Sequence, residues 1–285
     1  MNYKEAVAHC EQFTRRRRGS IAAGALCRTV ERFFWHHANR GFSVAMGRHL
    51  LYGWLHLRMP TKSVEGNGLS NARGALQVWR KFHGDNGRDP MPEEIVSAGV
   101  RKLMGRGRIL TAAAVYCQPY LYLRPSELLA PRPEDFLLPI RGAGRYSSVG
   151  VVVAPRELEV ATKTRSHDDT VLVDSQCPPS LGPILRELAR VRASAKHLFP
   201  PTLNAYERAL RDTGSALGLT PELVPHTLRH CGPANDLYFG RRTMAAIAKR
   251  GRSSDINSVQ RYSKSGRLIQ VWRHIPEATR ARWTG

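Results

Sequence analysis

The sequence has no Cys-x-x-Cys pair. Its five cysteines, at 10, 27, 117, 177 and 231, are scattered and odd in number. This pattern supports neither a zinc site nor a disulfide framework, and it points to a reducing compartment. No run approaches the roughly 20 apolar residues of a membrane helix. The opening stretch, MNYKEAVAHCEQFTRRRRG, lacks the apolar core of a signal peptide. Cytoplasm of a prokaryote or nucleus of a eukaryote is the expected location, with no membrane partner. There is no internal repeat, no carboxylate cluster of the kind that holds Mg²⁺, and no text resembling an RRM or KH domain. No metal and no cofactor are expected.

Acidic residues are also scarce: 23 Asp and Glu stand against 44 Lys and Arg, a formal net charge of +21 over 285 residues. Such an excess destabilises a compact chain by self-repulsion unless a polyanion offsets it. With 42% hydrophobic residues the chain can still build a core, which excludes full disorder. The charge is spread out, +9 over residues 1–90 and +12 over the remainder, as suits a protein gripping a polyanion from two sides. The one dense run is Arg15, Arg16, Arg17 and Arg18.

Helical spacing dominates up to about residue 83, in VERFFWHHANRGF, AMGRHLLYGWLHLRM and SNARGALQVWRKFHG. The segment HGDNGRDPMPEE gathers Gly, Asp, Asn and Pro and reads as a linker. Two further helices follow in PEEIVSAGVRKLM and RILTAAAVYCQPYLYL, the second carrying Pro119. Three short β-branched runs, SSVGVVVA, ELEVATK and DTVLVD, then predict a small antiparallel sheet, and helical text resumes to the end. The expected class is mainly α with a small antiparallel β-sheet (α+β), in two domains, 1–86 and 87–285.

Four segments carry candidate chemistry. In LRPSELLAPRPEDF, Arg124 and Glu127 are three apart, so a carboxylate can orient a guanidinium at a helix start. In ATKTRSHDDT, Lys163 sits at a strand end, where it reads equally as an ordinary hairpin-tip lysine. In LVPHTLRHCGPANDL, Pro225 marks a helix start, placing His226 beside Arg229 and following them with His230. In KRGRSSDINSVQRYSKSGRL, Tyr262 lies among cations, a weak nucleophile unless they and a base assist it.

Taken in order, these segments closely resemble the tyrosine recombinase (phage integrase) family of mobile elements. LRPSELLAPRPEDF is similar to its first-arginine box, HTLRH to its His-x-x-Arg box, and SVQRYSK to its nucleophile box. The resemblance spans about residues 90–265. It implies a SAM-like core-binding DNA domain at 1–86 and a catalytic domain at 87–285, closing as a C-clamp on double-stranded DNA. It also implies cleavage and rejoining through a 3′-phosphotyrosine link without metal or ATP. Arg124 and Arg229 would clamp the phosphate, Tyr262 attack, His226 assist as base and Lys163 protonate the leaving oxygen, with Glu127 orienting an arginine and His230 and Arg252 as supporting hydrogen-bond donors. Arg73, Arg80, Lys81, Arg165, Arg261 and Lys264 join the Arg15–Arg18 run as expected DNA contacts. A dimer or tetramer on DNA is implied, and Trp272 and Trp283 of the tail would dock either on a neighbouring protomer or on their own domain. Two departures stand out. Tyr122 occupies a position where the family commonly has glycine, and Gly251-Arg252 stands where Gly-His or Gly-Trp is usual, with Lys249 or Arg250 as alternatives in a shifted register. A type IB topoisomerase-like enzyme and a catalytically impaired DNA-binding relic are the rival readings.

Overall fold

A computed structural model describes residues 2–16, 26–58, 69–83, 89–140, 142, 144, 148–155, 169–199, 202–219, 222–253, 259–263 and 266–284. It divides into two compact units, Met1–Gly87 and Arg88–Gly285. Among the described residues no helix is long and apolar enough to cross a membrane.

The first unit holds α1 (Tyr3–Arg16), α2 (Leu26–Ala38), α3 (Val44–Arg58) and α4 (Ser70–His83). In α2, Val30, Phe33, Phe34 and His37 follow the spacing of one helix face, and all four are buried. They meet Leu50, Leu51 and Trp54 of α3 and Leu76 and Trp79 of α4 in one core. His37 is satisfied in that core: its Nδ1 bonds the Phe33 carbonyl at 2.8 Å and its Nε2 lies 3.1 Å from His9 Nε2.

The second unit begins with α5 (Glu93–Met104), α6 (Ile109–Leu121) and the short α7 (Pro125–Leu129). Strands β1 (Phe136–Leu137), β2 (Gly150–Val153) and β3 (Asp169–Leu172) form an antiparallel sheet in the order β1-β2-β3. Phe136 pairs with Val151 and Val151 with Val171, so these three face the core in one row, with Val153 of β2 buried beside them. Two of the predicted runs thus appear as β2 and β3; the third, ELEVATK, lies outside the described residues. Helices α8 (Leu181–Val191), α9 (Leu203–Ala216), α10 (Pro225–Tyr238) and α11 (Met244–Arg250) follow. A 3₁₀ turn at Gln260–Ser263, α12 (Gly266–His274) and α13 (Glu277–Thr284) complete the unit. The architecture is mainly α with a small antiparallel sheet.

Two features bring α6 and α10 together, and with them the chemistry. Gln118 is fully buried near the end of α6. Its amide donates to the carbonyls of Leu123 (3.1 Å) and Pro225 (3.0 Å) and accepts from Tyr206 of α9 (2.8 Å). That one side chain ties the start of α10 to the chain just before Arg124. The second feature is Gly232, where a Cβ would fall 1.9 Å from the Pro119 carbonyl oxygen. Only a bare backbone permits the two helices to approach this closely.

The tail settles on its own unit. Trp272 and Trp283 pack against the same core as α5 and α6, and Arg101 donates to the Trp283 carbonyl at 3.5 Å.

Candidate functional site

Pro225 occupies the first turn of α10, with Val224 in extended conformation before it. Its fixed φ and missing N–H suit that position. One turn along, Arg229 is nearly buried and faces back toward α6 and α7. His226 is exposed and His230 is half-buried.

Arg124 is the residue before α7. Its backbone N–H donates to Glu127 Oε2 at 2.7 Å, and its side chain pairs with Glu127 Oε1. The carboxylate therefore caps the helix and holds the guanidinium at once. Two more guanidinium groups meet it. Arg252 Nη2 reaches Glu127 Oε2 at 2.6 Å, and Arg229 Nη1 approaches the same oxygen at 3.5 Å. Both also donate to one main-chain acceptor, the Tyr122 carbonyl, Arg252 at 3.2 Å and Arg229 in a shorter contact. Arg229 Nη2 adds the Gly251 carbonyl at 2.8 Å, and Arg124 Nη2 the Arg252 carbonyl at 3.4 Å.

Of the cations at 249, 250 and 252, Arg252 is the one whose side chain enters this cluster. It follows the end of α11 in left-handed conformation (φ 50°), which turns its side chain inward. Arg250 points elsewhere, to the Tyr120 and Leu172 carbonyls and Asp174, and Lys249 is exposed.

Three cations share one carboxylate, so the cluster carries two positive charges in excess. The imbalance shows in Arg229. Burial and the neighbouring Arg124 charge push its pKa down to about 10, although Glu127 and Tyr262 pull the other way. Burial would raise the Glu127 carboxyl, but the Arg252 charge and the hydrogen bonds from Arg124 outweigh it and hold the group below the usual carboxylate range. A cluster of cations buried without enough counter-charge is stabilised by an anion from outside, and Arg124, the most exposed of the three, marks the open side. Inorganic phosphate should therefore raise the melting temperature of the protein above that in chloride of equal ionic strength. At 100 times Kd the gain is about 2.7 kcal/mol. The part due to general exclusion from the surface survives Arg124→Gln; the part due to this cluster does not. Equal shifts in both proteins would rule the anion site out.

Tyr262 lies in the 3₁₀ turn packed on α10, over a small core of Tyr122, Ile247 and Val259. Its hydroxyl is 3.0 Å from His230 Nδ1, and it acts electrostatically on Arg229. Arg124, Glu127, Arg229, His230, Arg252 and Tyr262 are thereby drawn to one end of α10. Lys163, Arg17, Arg18, Arg165 and Lys264, like the side chains of Arg16 and Arg261, lie outside the described residues. Arg15 of α1 and Arg73, Arg80 and Lys81 of α4 are exposed on the first unit. Among the described residues no group of three or more His, Cys, Asp or Glu is placed to hold a metal ion.

Reading the sequence did not find the main-chain acceptors of Tyr122 and Gly251, nor a second charged group behind them. Tyr122 buries its ring and donates its hydroxyl to Asp236 Oδ2 at 2.7 Å. Arg242 links Asp236 (2.7 Å) to Asp174 (2.7 Å). The one signal was Tyr122 itself, a bulky residue at a position where glycine is usual.

No protein-family model matches the chain, and no curated protein sequence matches it. Among solved structures it is similar to XerA recombinase, at 16% identity and a TM-score of 0.45, covering 96% of this chain and 99% of that one. It is similar to the XerH site-specific recombinase bound to difH substrate, at 14% identity and a TM-score of 0.48, covering 80% of this chain and 70% of that one. A third similar structure is the Tn1549 transposon integrase in complex with transposon right end DNA, at 12% identity and a TM-score of 0.47, covering 97% of this chain and all of that one.

Proposed function

We propose that the chain is a site-specific DNA recombinase of the tyrosine type, which breaks and rejoins DNA through a covalent link to Tyr262. The observation that carries this reading is the placement of the Tyr262 hydroxyl on His230, the residue next to Arg229 in a cluster of three guanidiniums with charge to spare. A phosphodiester brings the missing negative charge. Arg124, Arg229 and Arg252 bind its non-bridging oxygens and stabilise the charge that grows there as the reaction proceeds. The Tyr262 oxygen attacks phosphorus, a Tyr–O–P bond forms, and the bond to the 5′ oxygen breaks. The resemblance gives the base role to His226; the 3.0 Å contact favours His230 as acceptor of the phenol proton. Lys163 is assigned the proton for the leaving oxygen. The covalent link conserves the energy of the phosphodiester, so the 5′ hydroxyl of another strand can reverse the step without ATP. Lys and Arg contacts to phosphate should make binding strongly salt-dependent. Assembly of several protomers on DNA belongs to the same proposal.

The test is covalent capture. A pool of random-sequence duplexes, each with one 5′-bridging phosphorothiolate, supplies a leaving group that needs no proton and does not rejoin. Wild-type protein should yield an adduct that survives denaturation, with the modified peptide mapping to Tyr262. No adduct from an exhaustive pool would leave a DNA-binding relic as the reading. Once a sequence is enriched, recombination between two copies of it, against relaxation of one supercoiled plasmid, separates a recombinase from a topoisomerase-like enzyme.

A further inference from the structure

We propose that Tyr122 is a positioning residue for the arginine cluster, acting through its main-chain carbonyl and held from behind by a charged relay of Asp236, Arg242 and Asp174. The inference rests on the function proposed above. Tyr122 caps α6 in left-handed conformation, φ 53° and ψ 33°, a region that a side chain of this size seldom enters. Its carbonyl is thereby aimed into the cluster, where it accepts from both Arg229 and Arg252. Glu127 is their other shared acceptor, so the pair of guanidiniums is oriented by two points, one charged and one neutral.

The conformation is kept by the side chain. The ring is 1% exposed. Its hydroxyl donates to Asp236 Oδ2 at 2.7 Å, and the same oxygen accepts from Arg242 Nε at 2.7 Å. Arg242 Nη1 then reaches Asp174 Oδ2 at 2.7 Å, just beyond β3. Arg250 closes the arrangement. Its guanidinium carbon sits 5.6 Å from the centre of the Tyr122 ring, and its nitrogens hold the Tyr120 carbonyl (2.8 Å) and Asp174 (3.2 Å). Arg242 and Arg250 hold the Asp174 carboxyl down to about 2, so that end of the relay stays ionised at any working pH. Backbone strain that persists inside such a set of contacts is the pattern found where geometry matters for chemistry. Arg250 touches the cluster only through its main chain, where its carbonyl accepts from Arg252 Nη1 at 3.1 Å. Among the contacts described Asp236, Arg242 and Asp174 bond none of the three arginines, so their coupling runs through the Tyr122 backbone.

The proposal separates from a purely structural role by what it does to rate and to binding. Tyr122→Phe keeps the ring and removes only the bond to Asp236. Asp174→Asn cuts the relay at its half-exposed end, where folding should tolerate it. In single-turnover adduct formation on the captured duplex, each variant should be slower by up to about a hundredfold, the cost of displacing a reacting group by about 1 Å, with the Kd for the duplex unchanged. The double variant should be no slower than the worse single one, because both cut the same relay. Wild-type rates in Tyr122→Phe, fully additive losses, or a loss confined to Kd would each overturn the proposal. If wild type forms no adduct, the proposed function fails, and the positioning role is then judged by the side-chain NMR signals of Arg229 and Arg252. Asp174 bonds neither arginine among the contacts described, so shifted signals in Asp174→Asn support the role, and unchanged signals overturn it.

Discussion

Gly232→Ala should destabilise the Arg88–Gly285 unit by more than about 3 kcal/mol, beyond the usual range for an added methyl group in a packed core. The added carbon would lie 1.9 Å from the Pro119 carbonyl oxygen, 2.8 Å from the Pro119 carbonyl carbon and 2.8 Å from Tyr122 Cε1. Two of those neighbours are backbone and the third belongs to a fully buried ring, so none can swing aside. Helix propensity predicts the opposite sign, a gain of about 1 kcal/mol for alanine over glycine inside a helix. The measurement therefore decides between two signs as well as two sizes. A urea midpoint that falls sharply shows that the α6–α10 contact governs; a midpoint that rises shows that the helices can move apart. Because the Tyr122 carbonyl and Arg229 lie on either side of this contact, phosphate stabilisation should weaken together with the fold.

That contact also explains which parts of the molecule could be read from the text and which could not. Helices α2 to α6 follow from apolar spacing, and α10 starts at Pro225 because a proline at a first helical turn is a local signal. Arg124 with Glu127 was equally local, two residues three apart that meet at a helix start. The two-residue strand β1 is too short to show any alternation, and it went unseen. Pairings across long separations leave no local trace. The hydroxyl of Tyr122 finds Asp236, 114 residues on, and Tyr262 finds His230 across 32. The register around Arg252 was undecided for a similar reason. Which of three cations in KRGR turns inward depends on how α11 ends, and the left-handed residue at 252 decides it. The tail left its own domain and a neighbour equally open, since two tryptophans in amphipathic text carry no information about which surface covers them.

The same three-cation cluster yields the other large expected effect. Glu127→Ala should lower stability by about 3–5 kcal/mol, the cost of leaving buried charge without its partner, and slow adduct formation by about 10²–10³-fold, as when an oriented donor to a developing charge is lost. Arg252 and Arg229 are 6% and 11% exposed, too little for water to replace a carboxylate. Removing that group raises the excess from two positive charges to three, so phosphate should bind no more weakly than to wild type. Affinity and rate then move apart, which is the mark of lost orientation as opposed to lost attraction. Acid should reproduce part of the effect. The folded carboxyl is held below its usual range, so between about pH 4.3, the ordinary glutamate value, and the lower folded value the unfolded chain binds the extra proton. Stability from this group is complete above that window and is lost as pH falls through it. Glu127→Gln keeps the shape and one acceptor oxygen, and its melting temperature should lack this increment of acid sensitivity. A Glu127→Ala protein that formed adduct at the wild-type rate would mean that the Tyr122 and Gly251 carbonyls alone suffice to aim the guanidiniums.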